Sequence, residues 1–149
     1  MPSASQLDLS YNTIGGHYGV GCNPDFDGEL QQIFTADPDG AQDIAGALRV
    51  NGGLTELNIA HNSITDDGIT AICNAVQSYK ESKLAKLNVA GNNISPIGAT
   101  AVAAMVAVTG ALTSINMSEN NLTNYCTDMM GIKELAAALG VNGALTEVR

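Results

Sequence analysis

Apolar and polar positions recur in one short phrase along this chain. Leu54-Thr-Glu-Leu57-Asn-Ile59-Ala-His-Asn62-Ser-Ile64 returns as Leu84-Ala-Lys-Leu87-Asn-Val89-Ala-Gly-Asn92-Asn-Ile94, and again as Leu112-Thr-Ser-Ile115-Asn-Met117-Ser-Glu-Asn120-Asn-Leu122. A partial copy, Leu7-Asp-Leu9-Ser-Tyr-Asn12-Thr-Ile14, stands near the start, and a clipped one, Leu145-Thr-Glu-Val148-Arg149, near the end. Alternation at Leu57/Ile59 and its counterparts predicts a short strand with one apolar face. The Asn that follows predicts a turn, because its amide bonds backbone groups that a turn leaves unpaired. Stacked copies therefore predict an Asn ladder through Asn12, Asn62, Asn92 and Asn120.

The second half of each unit changes period. Gly68-Ile-Thr-Ala-Ile72-Cys-Asn-Ala-Val76 aligns with segments beginning at Gly40, Gly98 and Gly131. Apolar residues four and eight positions after the Gly, with small residues between, predict a helix whose apolar stripe packs closely on its neighbours. Asn62 and Asn92 are 30 residues apart, and Asn92 and Asn120 are 28 apart. A period of this length signals a solenoid.

The strand phrase resembles the leucine-rich repeat, LxxLxLxxNxL. Repeats of this length with a full helix resemble the ribonuclease-inhibitor subclass. The resemblance implies an α/β solenoid of about four to five repeats, a horseshoe segment with parallel strands on the concave side and helices on the convex side. It implies one domain over residues 1–149, a module that binds other protein chains rather than a catalyst. An alternative it also implies is the regulatory arm of a GTPase-activating or NOD-like sensor protein. Strand alternation then puts Asp8, Asn58, Asn88 and Asn116 on the concave face. Beside them run Gln6, Glu56, Lys86 and Ser114, with Tyr11, His61, Gly91 and Glu119 at the rim.

Departures from the repeat are where binding is expected. An insertion at about 15–36 lies in a region, Tyr11 to Phe34, that holds four of the six aromatics. Tyr18, Phe26 and Phe34 are its candidate anchors, since aromatics favour contact sites. Leu30, Ile33 and Phe34 fall at helical spacing and predict a short amphipathic turn. Asn23, Asp25 and Asp27, followed by Gly28, resemble the front half of an EF-hand loop and are candidate calcium ligands. Phe34 stands where that motif places a bidentate Glu. A smaller insertion at about 124–130 carries Tyr125.

From Leu87 to Ser118 there is no Asp, Glu, Lys or Arg. The helix in that stretch is expected to expose Thr100, Ala101, Ala104 and Met105 as an apolar convex contact strip. Neither end of the chain reads as a polar capping unit, so the expectation is that the array is longer or that partners cover its ends.

Charge narrows the partners. Fifteen acids against six bases give a formal charge of −9, which disfavours nucleic acid as a ligand. The first 48 residues hold seven acids and no base, an asymmetry suited to head-to-tail or hetero-oligomeric contact. No apolar run reaches a membrane span, and no signal segment opens the chain. Three cysteines are too few for a disulfide framework, so the expected setting is intracellular and cytoplasmic. His17 and His61, the only histidines, have no motif-placed nucleophile, and Cys73 aligns with Ala45, Ala103 and Ala136 as a core filler. Neither a catalytic set nor a cofactor other than calcium is expected.

Overall fold

The computed structural model describes residues 5–22 and 30–149. The repeated phrase forms five three- or two-residue strands: β1 (Gln6–Asp8), β4 (Glu56–Asn58), β5 (Lys86–Asn88), β6 (Ser114–Asn116) and β7 (Glu147–Val148). Between them lie four helices, α1 (Asp39–Leu48), α2 (Thr65–Ser78), α3 (Pro96–Val108) and α4 (Met130–Val141). The strands pair in parallel in the order β1-β4-β5-β6-β7. Register is set by the apolar centre of each strand: Leu7 pairs with Leu57, Leu57 with Leu87, Leu87 with Ile115 and Ile115 with Val148. The helices cover one face of this sheet, giving the leucine-rich-repeat-like solenoid that the pattern predicts.

The Asn ladder holds the rungs together. Asn62 and Asn92 are fully buried, and each amide is fully bonded. The Asn92 Oδ1 accepts from the Asn62 and Ile64 N–H groups of the preceding rung at 2.9 and 3.3 Å. Its Nδ2 donates to the Ile59 and Ala90 carbonyls at 2.9 and 3.2 Å. Asn62 serves Asn12 and Ile14 in the same way, and Asn120 serves Asn92 and Ile94. A buried amide with every group satisfied fixes register and spacing, whereas one with a partner removed is costly.

Burial along the four aligned helices tells which face meets what. Positions four and eight after the initial Gly face the sheet: Ile72, Val76, Val102 and Val106 are all buried. The position five after it is buried in α1, α2 and α3 (Ala45, Cys73, Ala103) and exposed only in α4, at Ala136. It therefore faces the next helix. The position seven after it is exposed only in α1, at Ala47, and buried at Ala75, Met105 and Ala138, so it faces the preceding helix. The initial Gly lies on that same side. A Cβ on Gly131 would stand 2.6 Å from the Ala99 Cβ, and one on Gly98 would stand 2.9 Å from Ile69 Cγ2. Small residues here let neighbouring helices close up. Asp66, in the first turn of α2, reaches across to accept from the Ser95 and Gly98 N–H groups at 2.8 and 3.0 Å, capping α3 beside its own N-cap Ser95.

This burial corrects one expectation. Met105 is fully buried and faces α2, so it belongs to the core and not to the outer strip. Its larger side chain fills a seat that Ala75 and Ala138 occupy in the neighbouring helices.

The first insertion corrects another. It is an antiparallel hairpin of β2 (Gly16–Cys22) and β3 (Leu30–Ala36), paired from Gly16↔Ala36 to Cys22↔Leu30. No helical turn forms at Leu30–Phe34, because the segment pairs with β2 and a three-residue apolar spacing has no second turn to support a helix. Gly16 is required at the hairpin's base. Its φ is +142°, and a Cβ there would lie 2.4 Å from the Thr35 carbonyl oxygen. Phe26, Asn23, Asp25 and Asp27, with the calcium expectation that rests on the last three, lie outside the described residues.

Candidate functional site: two faces of the solenoid

On the sheet face, β1, β4, β5, β6 and β7 line a shallow groove of about 580 Å³. Asp8, Asn58, Asn88 and Asn116 form one column on its floor, as the alternation predicts. Each turns an oxygen back on its own strand. The Oδ1 atoms accept from the N–H two residues on, at Ser10, Ala60, Ala90 and Ser118, at 2.9 to 3.2 Å. The Asn oxygens are thus braced within their own segments, and the Asn58 amide also reaches the Asp8 carboxyl of the preceding rung. The Ser10 backbone N–H, its hydroxyl and the Asn58 amide hold the Asp8 carboxyl below its usual range.

The neighbouring column is charged and self-paired. Lys86 Nζ meets Glu56 Oε1 at 2.6 Å, and that contact raises the lysine's pKa. Glu147 receives Arg149 at 2.7 Å and the Ser114 hydroxyl at 3.1 Å. At the rim the Tyr11 ring stacks on His61 with centroids 4.4 Å apart. The imidazole occupies the space a side chain at Gly91 would need: a Cβ there would lie 2.3 Å from its Nδ1. This face is polar and largely satisfied by its own groups.

The outer helix face is the reverse. The residue before the initial Gly, and those three, six and ten after it, point away from the sheet along one band. In α1 they are Asp39, Asp43 and Gly46, with Val50 just past its end, and in α2 Asp67, Ala71, Asn74 and Ser78. In α3 they are Ile97, Ala101, Ala104 and Val108, with Thr100 half-buried at the margin. Ile97 and Val108 are 66% and 69% exposed, unusual for such large apolar side chains at both ends of one helix. In α4 they are Met130, Glu134, Ala137 and Val141, with Met130 50% and Val141 73% exposed. The sequence reading found Ala101 and Ala104 but missed Ile97, Val108, Met130 and Val141. Carrying the helical period one step beyond the aligned block in each direction would have found them.

Two aromatics stand apart from both faces. Tyr18 packs on Phe34 with ring centroids 5.0 Å apart and stays more than half exposed on the hairpin. The hairpin strands pack on each other far more than on the solenoid. Tyr125 is 84% exposed at the tip of a turn where Asn124, Tyr125 and Cys126 all adopt left-handed backbone angles. The turn is braced by Asn121 Oδ1, which accepts from the Tyr125 N–H.

Burial pushes the Cys73 thiol up to about 12, which keeps it protonated and unreactive. Among the described residues no group of three His, Cys, Asp or Glu side chains is placed to hold a metal ion, and no helix is long and apolar enough to cross a membrane.

Comparison with known proteins agrees with the fold. A profile of the Leucine Rich repeat family matches residues 54–73 and 81–103, so the repeat motif is present in the two central rungs. No curated protein matches the chain. Forty-four chains of solved structures match it. One, titled "Leiomodin-1 Actin-Binding Site 2 (ABS2)", superposes with a TM-score of 0.70 over 99% of this chain and 70% of its own, at 18% identity.

Proposed function

We propose that the chain docks partner proteins through the outer face of α3 and α4, with Tyr18 and Phe34 on the hairpin and Tyr125 on its turn as further anchors. The observation that carries this reading is the exposure of Ile97 and Val108 at the two ends of a helix face without one ionisable group. Soluble surfaces seldom leave such contiguous apolar strips bare unless something binds there. Of the strip expected from sequence, Thr100, Ala101 and Ala104 remain in the proposed contact and Met105 does not. The groove over Asp8, Asn58, Asn88 and Asn116 is the lesser surface, because Glu56 and Glu147 are already paired with Lys86 and Arg149 and Asp8 is bonded by Ser10.

The similar structure is titled as an actin-binding site. At its level of identity the likeness supports the fold and, through it, a role in protein–protein contact. No feature of the described residues favours the arm of a GTPase-activating or NOD-like sensor protein.

The test is affinity capture from the cells that make the protein, with wild type, Ala104→Glu and Tyr18→Ala side by side and purified actin as one named bait. A protein held by wild type and lost from Ala104→Glu is the expected result. Identical partners on all three chains would overturn the proposal.

A further inference from the structure

The outer strip of α3 is a palindrome. Ile97 and Val108 are equidistant from the midpoint between Val102 and Ala103, and so are Ala101 and Ala104. Large residues stand at the ends and small ones at the centre. Two such helices crossing antiparallel come closest at the middle, where Ala101 and Ala104 leave room, and splay towards the ends, where Ile97 and Val108 fill the widening gap. A strip that reads alike in both directions suits a two-fold axis, at which residue i meets j and j meets i.

The next helix repeats the pattern except at Glu134, which holds the position of Ala101. Met130 and Val141 in α4 hold the positions of Ile97 and Val108, and Ala137 that of Ala104. A two-fold axis lying in the contact plane and close to perpendicular to α3 allows a small crossing angle and sets α4 against α4 of the second copy. Met130 then meets Val141, and Glu134 meets Ala137 rather than the other Glu134. On the α2 side, Asp67 comes opposite Ser78 and away from the other Asp67.

Charge also selects this face for a second copy. Two chains of formal charge −9 repel each other, and the acids of α1 and α2 oppose contact there. The outer strip of α3 carries no charge to repel. We propose that the chain pairs with a second copy of itself, antiparallel through α3 and α4, a reading that rests on the docking surface above. Two helix rows from each copy bury on the order of 1,000 Å², at the small end of specific interfaces. The pair is therefore weak and concentration-dependent, and it leaves both sheet-face grooves open to the outside.

Sedimentation equilibrium of the full chain, up to roughly millimolar concentration, reads the pairing directly. The mass should rise from 15.3 kDa towards twice that value, and Ala104→Glu should weaken the association at least about tenfold. Ala104 is exposed, so its replacement leaves the fold intact.

Cross-linking reads the register, in a background of Cys22→Ser and Cys126→Ser. A mixture of Ile97→Cys and Val108→Cys chains should form a disulfide between the two variants, while each variant alone should not. Each variant cross-linking to itself, with no product from the mixture, would overturn the antiparallel arrangement. A wild-type chain that stays at 15.3 kDa throughout overturns the self-pairing. If Ala104→Glu nonetheless loses a captured protein, the docking reading stands and its occupant is another chain. If Ala104→Glu loses nothing, both readings fall.

Discussion

The first two helices and the last two share one buried face and present opposite outer ones. Inward, α1 to α4 carry the same scheme of a small residue at the start, an apolar pair towards the sheet and, apart from Met105, small residues towards each neighbour. Outward, α1 shows Asp39 and Asp43 and α2 shows Asp67 and Asn74, where α3 shows Ile97, Ala101 and Ala104. The inner positions are alike because packing a rung on a rung admits few solutions. The outer positions are free of that demand, so a difference there reflects what the surface meets. The same logic ranks the two faces of the solenoid. The sheet face spends its polar groups on itself, as Glu56 does on Lys86 and Asn88 on its own strand, whereas the outer face of α3 has nothing of its own to cover it.

The sharpest way to break this comparison is at two adjacent residues. Met105→Glu puts a carboxylate into the seat against α2 and should destabilise the chain by more than about 4 kcal/mol, leaving it unfolded or nearly so. Ala104→Glu, one residue away, should change stability by no more than about 0.5 kcal/mol. Chemical denaturation monitored by circular dichroism distinguishes them. Equal losses would mean that the inner and outer faces of α3 are misassigned.

A ladder variant comes next. Asn92→Ala strands the Asn62 and Ile64 N–H groups and leaves the Ile59 and Ala90 carbonyls with one donor each, from Asn62 Nδ2 and the His61 N–H, at a cost of about 3 kcal/mol. In a chain of this size that lowers the melting temperature by roughly 6–12 °C. A drop of only a degree or two would show that the rungs hold without the ladder.

Gly131→Ala tests the close approach between helices. The added Cβ meets the Ala99 Cβ and, at 2.8 Å, the Pro96 carbonyl oxygen, so a loss of about 1–3 kcal/mol is expected. Gly140→Ala, also in α4 but with open space around it, should show no such loss.

The smallest effect belongs to the sheet face. The Asp8 carboxyl titrates below its ordinary value of 3.8 because the folded chain bonds its ionised form. Its stabilising contribution is present above that value and is lost as the pH falls through the lowered pKa. Thermal melts of wild type and Asp8→Asn between pH 5 and pH 2 should therefore converge at the acid end, with a slight advantage for wild type at the upper end. An advantage that grows as the pH falls would contradict the assignment.

Much of this architecture was legible in the chain. The phrase from Leu54 to Ile64 and its copies specify strand, turn and rung, because a period-two apolar pattern and an Asn turn each have one local solution. Cys73 read as a core residue from its alignment with small residues alone. The hairpin was not legible. Gly16 to Ala36 has no repeat to align with, and Leu30, Ile33 and Phe34 match a helix period over too short a window to decide. Met105 was misread because an aligned column of Ala residues does not say which side of the helix it occupies.

The sequence by itself determined the repeat, the register of Leu7, Leu57, Leu87, Ile115 and Val148, and the ladder of Asn12, Asn62, Asn92 and Asn120. These follow from periodicity, which every copy states again. Only the tertiary structure decided that Met105 turns towards α2, that Ile97 and Val108 stand bare, and that the Asn58, Asn88 and Asn116 side-chain oxygens accept from their own segments. Those outcomes depend on the angle at which each helix meets its neighbours, and that angle is set by contacts between rungs rather than by the residues of any one rung.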